Sequence, residues 1–137
     1  MTDRDIYKRG NKPEIFEGKE LANRPLRNIF INEDDALIAK IIWEYFKAVE
    51  NKWPNAWKLV EPEIILNKST GFIALMNLFR DLYVEIGRIG ELVSTEEYLK
   101  YFDKVNLKDK DFNRTNFIPG SGGQSSLYKA LKEQIGI

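Results

Sequence analysis

From residue 37 onward, apolar side chains recur at the spacing of a helix. Leu37, Ile38, Ile41, Ile42, Tyr45 and Val49 share one face, and Trp53-Pro54 ends the pattern. Asn32 stands where an N-cap belongs, with Glu33, Asp34 and Asp35 in the first turn, where carboxylates meet the positive end of the helix dipole. A second long helix is predicted from Ser69 or Thr70 through "GFIALMNLFRDLYVEIGRIGELV". Its apolar positions, Phe72, Ile73, Leu75, Met76, Leu78, Phe79, Leu82, Tyr83 and Ile86, cover more than one face, which places it at the centre of the core, packed on several sides. Gly87 and Gly90 weaken its end. Ser94 with Glu97 reads as a capping box opening a third helix, whose buried stripe is Tyr98, Leu99, Phe102 and Val105. After the polar loop "NLKDKDFNRTN", Ser125 or Ser126 is expected to cap a last short helix with Leu127, Tyr128, Leu131 and Ile135 turned inward.

No segment alternates with period two, so the predicted fold is all-α: a small bundle of about four helices. Residues 1–30, punctuated by Gly10, Pro13, Gly18 and Pro25, read as an N-terminal arm that docks through Leu21, Leu26, Ile29 and Phe30; residues 31–137 read as a single helical domain. The stretch 55–69 is a connection with a helical turn after Pro62, and no internal repeat is evident.

Composition narrows the chemistry. A chain of 137 residues with 43% apolar and 31% charged side chains suits one core. It has 21 basic and 21 acidic residues, so no global field draws it to DNA or an anionic membrane, and contact with a polyanion requires a local patch. There is no cysteine and no histidine. That excludes disulfides, thiolate nucleophiles, sulfur- or imidazole-ligated metals and the usual hydrolytic triads. No metal site, cofactor or catalytic residue is assigned, and the expectation is a protein that is not an enzyme. "MTDRDIYKRGNKPEIFEGKE" lacks the apolar run of a signal peptide and no later segment has membrane-spanning length, so a cytoplasmic location is expected. The glycosylation-like triplets at Asn67 and Asn113 are then incidental.

Three patterns are candidates for binding. The first is "FIPGSGGQSS", in which Gly120, Ser121, Gly122, Gly123, Ser125 and Ser126 offer unhindered backbone N–H groups at a helix start, an arrangement that can hold an anion. It lacks the lysine and preceding strand of a phosphate loop and the last glycine of a dinucleotide fingerprint, so a loop with a serine cap is the simpler reading. The second is a partner surface: the tryptophans Trp43, Trp53 and Trp57, the last two around a Pro-Asn turn, with Arg24 and Arg27 of the arm, set against the plainer expectation that the tryptophans pack a helix junction. The third is a nucleic-acid patch of Lys104, Lys108, Lys110 and Arg114, diluted by Asp103, Asp109 and Asp111. Asp109, Asp111 and Asn113 have the opening spacing of a calcium loop, but Arg114 and Gly120 stand where that loop needs glycine and glutamate.

At "NRPLRNIFINEDDALIAKIIWEYFKAVENKWPNAW", through "ILNKSTGFIALMNLFRDLY" to "FIPGSGGQSSLYKAL", the chain resembles the C-terminal helical region of DGQHR-domain proteins, bacterial proteins related to the DNA phosphorothioation regulator DndB. The similarity covers about residues 20–132. The Asp-Gly-Gln-His-Arg string of that family lies in an N-terminal domain and is absent here, so the resemblance implies context and carries over no functional residue. It implies an isolated domain or split product in a DNA-modification or phage-defence setting: a non-catalytic accessory module with a protein partner such as a DGQHR-type domain. The alternative is a small nucleic-acid-binding module using the basic loop 104–123 and the helix after it.

Overall fold

The computed structural model describes residues 24–32 and 34–137. Among them six α-helices follow in order: α1 Arg27–Ile31, α2 Asp35–Lys52, α3 Pro54–Lys58, α4 Ser69–Ile86, α5 Thr95–Phe102 and α6 Ser121–Ile135, with a 3-10 turn at Asp109–Asp111. The fold of the described residues is all-helical, with an isolated antiparallel bridge between Ile64 and Asn113. The four helices read from periodicity are α2, α4, α5 and α6; α1 and α3 are additional. The expected arm lies outside the described residues as far as position 23, Leu21 with it, and so does Glu33. From Arg27 onward its last part is helical; Ile29 is buried and Leu26 packs partly buried on the core as expected, whereas Phe30, on the opposite side of this short helix, is 55% exposed and does not dock there.

Helix boundaries follow local chemistry. Asn32 is occupied as the C-cap of α1, its N–H on the Asn28 carbonyl, so Asp34 caps α2 instead, accepting from the Leu37 N–H at 3.1 Å. Pro54 ends α2, and its fixed φ makes it the first residue of α3. The helical turn expected after Pro62 is corrected: that position is a plain turn, and the helix of this connection starts at the earlier proline, Pro54. Gly87, in the left-handed region at φ 79°, closes α4. Ser94 caps α5, its hydroxyl accepting from the Glu97 N–H at 3.4 Å, but the expected box is only half made, because the Glu97 carboxylate is turned to Arg88 and Lys100. A second acceptor comes from α2: the Glu44 carboxylate takes the Thr95 N–H at 2.8 Å and its hydroxyl at 2.5 Å, and these hydrogen bonds lower the Glu44 pKa.

Tyr45 is the hub of the core, fully buried in α2. Its hydroxyl donates to the Leu75 carbonyl of α4 at 2.6 Å, and its ring lies 5.0 Å from Phe79 of α4, 5.4 Å from Tyr98 and 5.9 Å from Phe102 of α5. Desolvation holds its pKa well above the ordinary phenol value. The neighbouring Tyr98 hydroxyl is buried with no hydrogen-bond partner among the described residues, and desolvation raises its pKa as well. The loop read as polar is tied into this core, because Phe112 and Phe117 are buried and Trp53 meets the Phe112 ring edge-on at 5.0 Å. Two backbone bonds, Ile65 N–H to Phe112 and Arg114 N–H to Glu63, clip the loop to the segment before α4.

Helices α4 and α6 run side by side in the same direction. The Gly120 N–H donates to the Thr70 hydroxyl where both begin; further along, the Tyr128 hydroxyl donates to the Asp81 carboxylate, with the Lys132 ammonium 3.3 Å from the same oxygen. The hydrogen bond to Tyr128 and then the Asp81 carboxylate raise the Lys132 pKa. Neither helix has a side-chain cap, so the predicted caps Ser69 or Thr70 and Ser125 or Ser126 are corrected: α4 and α6 begin before those residues can act. The two starts share a steric device instead. A Cβ on Gly71, third residue of α4, would meet the Leu66 carbonyl oxygen at 2.1 Å; on Gly123, third residue of α6, it would meet that of Ile118 at 1.8 Å. In each case the carbonyl five positions upstream rests where a side chain would be. Gly122 meets nothing.

Two outcomes are expected from equilibrium denaturation. Gly123→Ala destabilises by about 1–3 kcal/mol through backbone overlap, while Gly122→Ala changes stability by less than about 1 kcal/mol or raises it; equal effects at the two sites would refute the close-approach account. Tyr45→Phe costs about 1 kcal/mol, whereas Tyr98→Phe is neutral or stabilising because it removes an unsatisfied hydroxyl.

Candidate interaction surface

The side chains of α2 opposite its core face include Trp43, 68% exposed, and one turn on, half-buried Phe46. Phe46 is the middle of a stacked aromatic row. Trp57 of α3 lies 5.3 Å from it on one side and Phe72 of α4 5.5 Å on the other, with interplanar angles of 21° and 10°. Phe72 is 49% exposed; Leu59 and Val60, just after α3, and Ile73 of α4 are also exposed apolar side chains, Val60 at 93%. The segment bearing Leu59 is held in place: the Asn67 amide donates to the Trp57 and Leu59 carbonyls at 3.1 and 2.7 Å, and the Lys68 ammonium to the Glu61 and Pro62 carbonyls at 2.6 and 3.0 Å. The result is a preformed, rigid aromatic face built from three helices.

The predicted partner-surface residues divide. Trp57 belongs to the row. Trp53 does not; it is 1% exposed, its indole N–H donates to the Leu107 carbonyl at 2.8 Å and its ring packs on Phe102, so it fills the core. Arg24 and Arg27 line a separate open cleft of about 480 Å³ with Phe30, Ile38, Met76 and Arg80. Sequence reasoning counted Trp43 among the tryptophans that could anchor a partner and missed Phe46 and Phe72. The signal was present in the excess of apolar positions on α4: Phe72 and Ile73, read as core on a helix packed all round, lie at the surface.

The predicted anion residues sit at the paired helix starts. Gly120, at φ 114°, is the N-cap position of α6; Ser121, Gly122 and Gly123 form its first turn; Ser125 and Ser126 are exposed within it. Lys68, Ser69, Thr70 and Arg114 line an open cleft of about 380 Å³ beside them. The structure gives Gly123 a packing duty under the Ile118 carbonyl. The predicted nucleic-acid residues Lys104, Lys108, Lys110 and Arg114 are all exposed, and none is in an ion pair among the described residues. Lys104 lies over the Tyr101 ring at 5.4 Å, Asp111 accepts from the Lys108 N–H at 2.8 Å, and Arg114 faces the cleft with Lys68.

Among the described residues no three carboxylates gather where they could hold a metal ion, and no helix is long and apolar enough to cross a membrane. Compared with protein-family models, curated proteins and solved structures, the chain matches none. The exposed and buried tryptophans are separable by experiment. Trp43→Ser should leave folding stability within about 0.5 kcal/mol, whereas Trp53→Ala should lose about 3–5 kcal/mol, measured by urea denaturation; a costly Trp43→Ser would assign the exposed indole to folding instead of recognition.

Proposed function

We propose that this protein is a non-catalytic helical accessory module that docks on a protein partner through the aromatic face of α2, α3 and α4. The observation that carries this reading is Trp43, a large indole left mostly in water beside a rigid row of three stacked aromatics. Leaving such a cluster exposed is unfavourable for a solitary domain, and aromatic anchors surrounded by ordered backbone are what concentrate binding energy at protein interfaces. The absence of imidazole and thiol supports a role without chemistry. The resemblance to the C-terminal region of DGQHR-domain proteins supplies the setting: a bacterial, cytoplasmic, DNA-modification or defence context, with a DGQHR-type domain as the partner. A nucleic-acid partner at the loop 104–123 is the weaker reading, since Asp109 and Asp111 alternate with the lysines and Asp111 is committed to the turn.

The test is site-specific photo-crosslinking in the native host, with benzoylphenylalanine at position 43 and, as the control, at exposed Lys129 of α6. A discrete adduct from position 43 whose peptides map to a DGQHR-type protein is expected, with none from position 129. Uncrosslinked monomer alone from position 43, or equal adducts from both positions, would overturn the proposal.

A further inference from the structure

The cleft bearing Arg24 and Arg27 is a second apolar opening, apart from the aromatic row. Its walls include Phe30 of α1, Ile38 of α2, and Met76 and Phe79 of α4, and its volume of about 480 Å³ leaves room for two large side chains. The charged residues that line it are Arg24, Arg27 and Arg80, with no carboxylate among them. Acids stand nearby but do not line it. Asp34 caps α2, Asp35 is exposed one turn before Ile38, and Asp81 lies 3.6 Å from Arg80 while its other oxygen serves Tyr128 and Lys132 of α6. Arginines are thus the charged groups within direct reach of an occupant.

The chain itself supplies one. Arg24 lines the cleft and is also where residues 1–23 join the described structure, so the covalent chain delivers the preceding segment to the rim. Arg24, Arg27 and Phe30 already have interaction partners within this chain. Residues 1–23 contain two apolar pairs, Ile6-Tyr7 and Ile15-Phe16, and the charges around them differ in sign. Residues 4–12 set Arg4, Lys8, Arg9 and Lys12 against Asp5, whereas residues 14–21 set Glu14, Glu17 and Glu20 against Lys19. An arginine rim repels the first and accepts the second. Phe16 precedes Arg24 by eight residues, a reach of up to about 28 Å when extended. Tethering makes the encounter intramolecular, at an effective concentration on the order of millimolar, which a second copy or a foreign protein in dilute solution does not match.

We propose that residues 14–21 dock back onto the cleft of their own chain, with Ile15 and Phe16 against its apolar walls and the three glutamates within reach of its arginines. Burial of the two large side chains supplies the affinity; the arginines choose between the two halves of the arm. The segment then holds α1 against α2 and α4. This concerns a different surface from the docking face of α2, α3 and α4 and does not rest on it.

The test is NMR of the full chain with methyl-labelled methionine. Met76 lines the cleft and Met1 is the other methionine, so a single signal reads the site. Nuclear Overhauser contacts from the Phe16 ring to the Met76 methyl are expected, unchanged on about tenfold dilution. Phe16→Ala should shift the Met76 signal, Tyr7→Ala should leave it in place, and Glu17→Lys with Glu20→Lys should move it at least halfway toward its Phe16→Ala position. A Met76 signal identical in Phe16→Ala and the parent chain would overturn the proposal, as would one that responds equally to Tyr7→Ala or ignores the charge reversal. Contacts that vanish on dilution would give the cleft to a second copy and overturn it as well.

Discussion

A phenol hydroxyl sealed away from water must find an acceptor or cost the fold the free energy of an unmet hydrogen bond. Tyr45 finds the Leu75 carbonyl in the middle of α4, and with both ends of that contact on rigid helices the rotation of α2 about its axis is set. The same ring then meets Phe79 of α4 and Tyr98 and Phe102 of α5 edge-on or tilted, so one side chain locates three helices relative to one another. The outward direction follows by geometry. Trp43 precedes Tyr45 by two positions, a little over half a turn of helix, and must point away from the core that Tyr45 enters. The exposed indole is a consequence of the buried phenol.

The parallel course of α4 and α6 sets two positive helix ends side by side, which ordinarily invites capping side chains or an anion. Neither helix has a side-chain cap. The chain brings its own carbonyls instead: those of Leu66 and Ile118 press onto the first turns where Gly71 and Gly123 leave room, and the Gly71 N–H donates to the Ile65 carbonyl at 3.2 Å. Carbonyl oxygens carry partial negative charge, so they partly neutralise the ends they touch. On this account the glycines of "PGSGG" divide the labour. Gly120 permits a positive φ at the N-cap position and Gly123 permits a backbone contact, while Gly122 answers to neither demand.

Periodicity made the four main helices and the all-α class legible, because each inner stripe is long and apolar and Pro54, Gly87 and Ser94 act locally. What stayed hidden depended on partners distant in sequence. Asn32 looks like a cap until α1 claims it; Ser125 and Ser126 look like caps until the Ile118 contact lets the helix start at Ser121. Trp53 and Trp57, four residues apart, had equal standing as surface anchors, and only the Leu107 carbonyl and the Phe112 ring, more than fifty residues away, separate the buried one from the stacked one. The aromatic row is a tertiary object assembled from positions 46, 57 and 72, so no local pattern announces it.

A formal charge of zero was reason to expect no long-range attraction to a polyanion, and that argument concerns the field far from the molecule. At contact the relevant distance is the screening length, about 8 Å at physiological salt, and within it only neighbouring charges count. Lys40 and Lys47 lie one turn on either side of Trp43, Glu44 lies between them and keeps its charge while accepting from Thr95, and Glu50 is paired with Lys58. The charges near Trp43 are therefore mixed, and several carboxylates of this chain serve as structural acceptors: Glu44 at the start of α5, Glu50 with Lys58, Asp81 between α4 and α6, Asp111 in the turn.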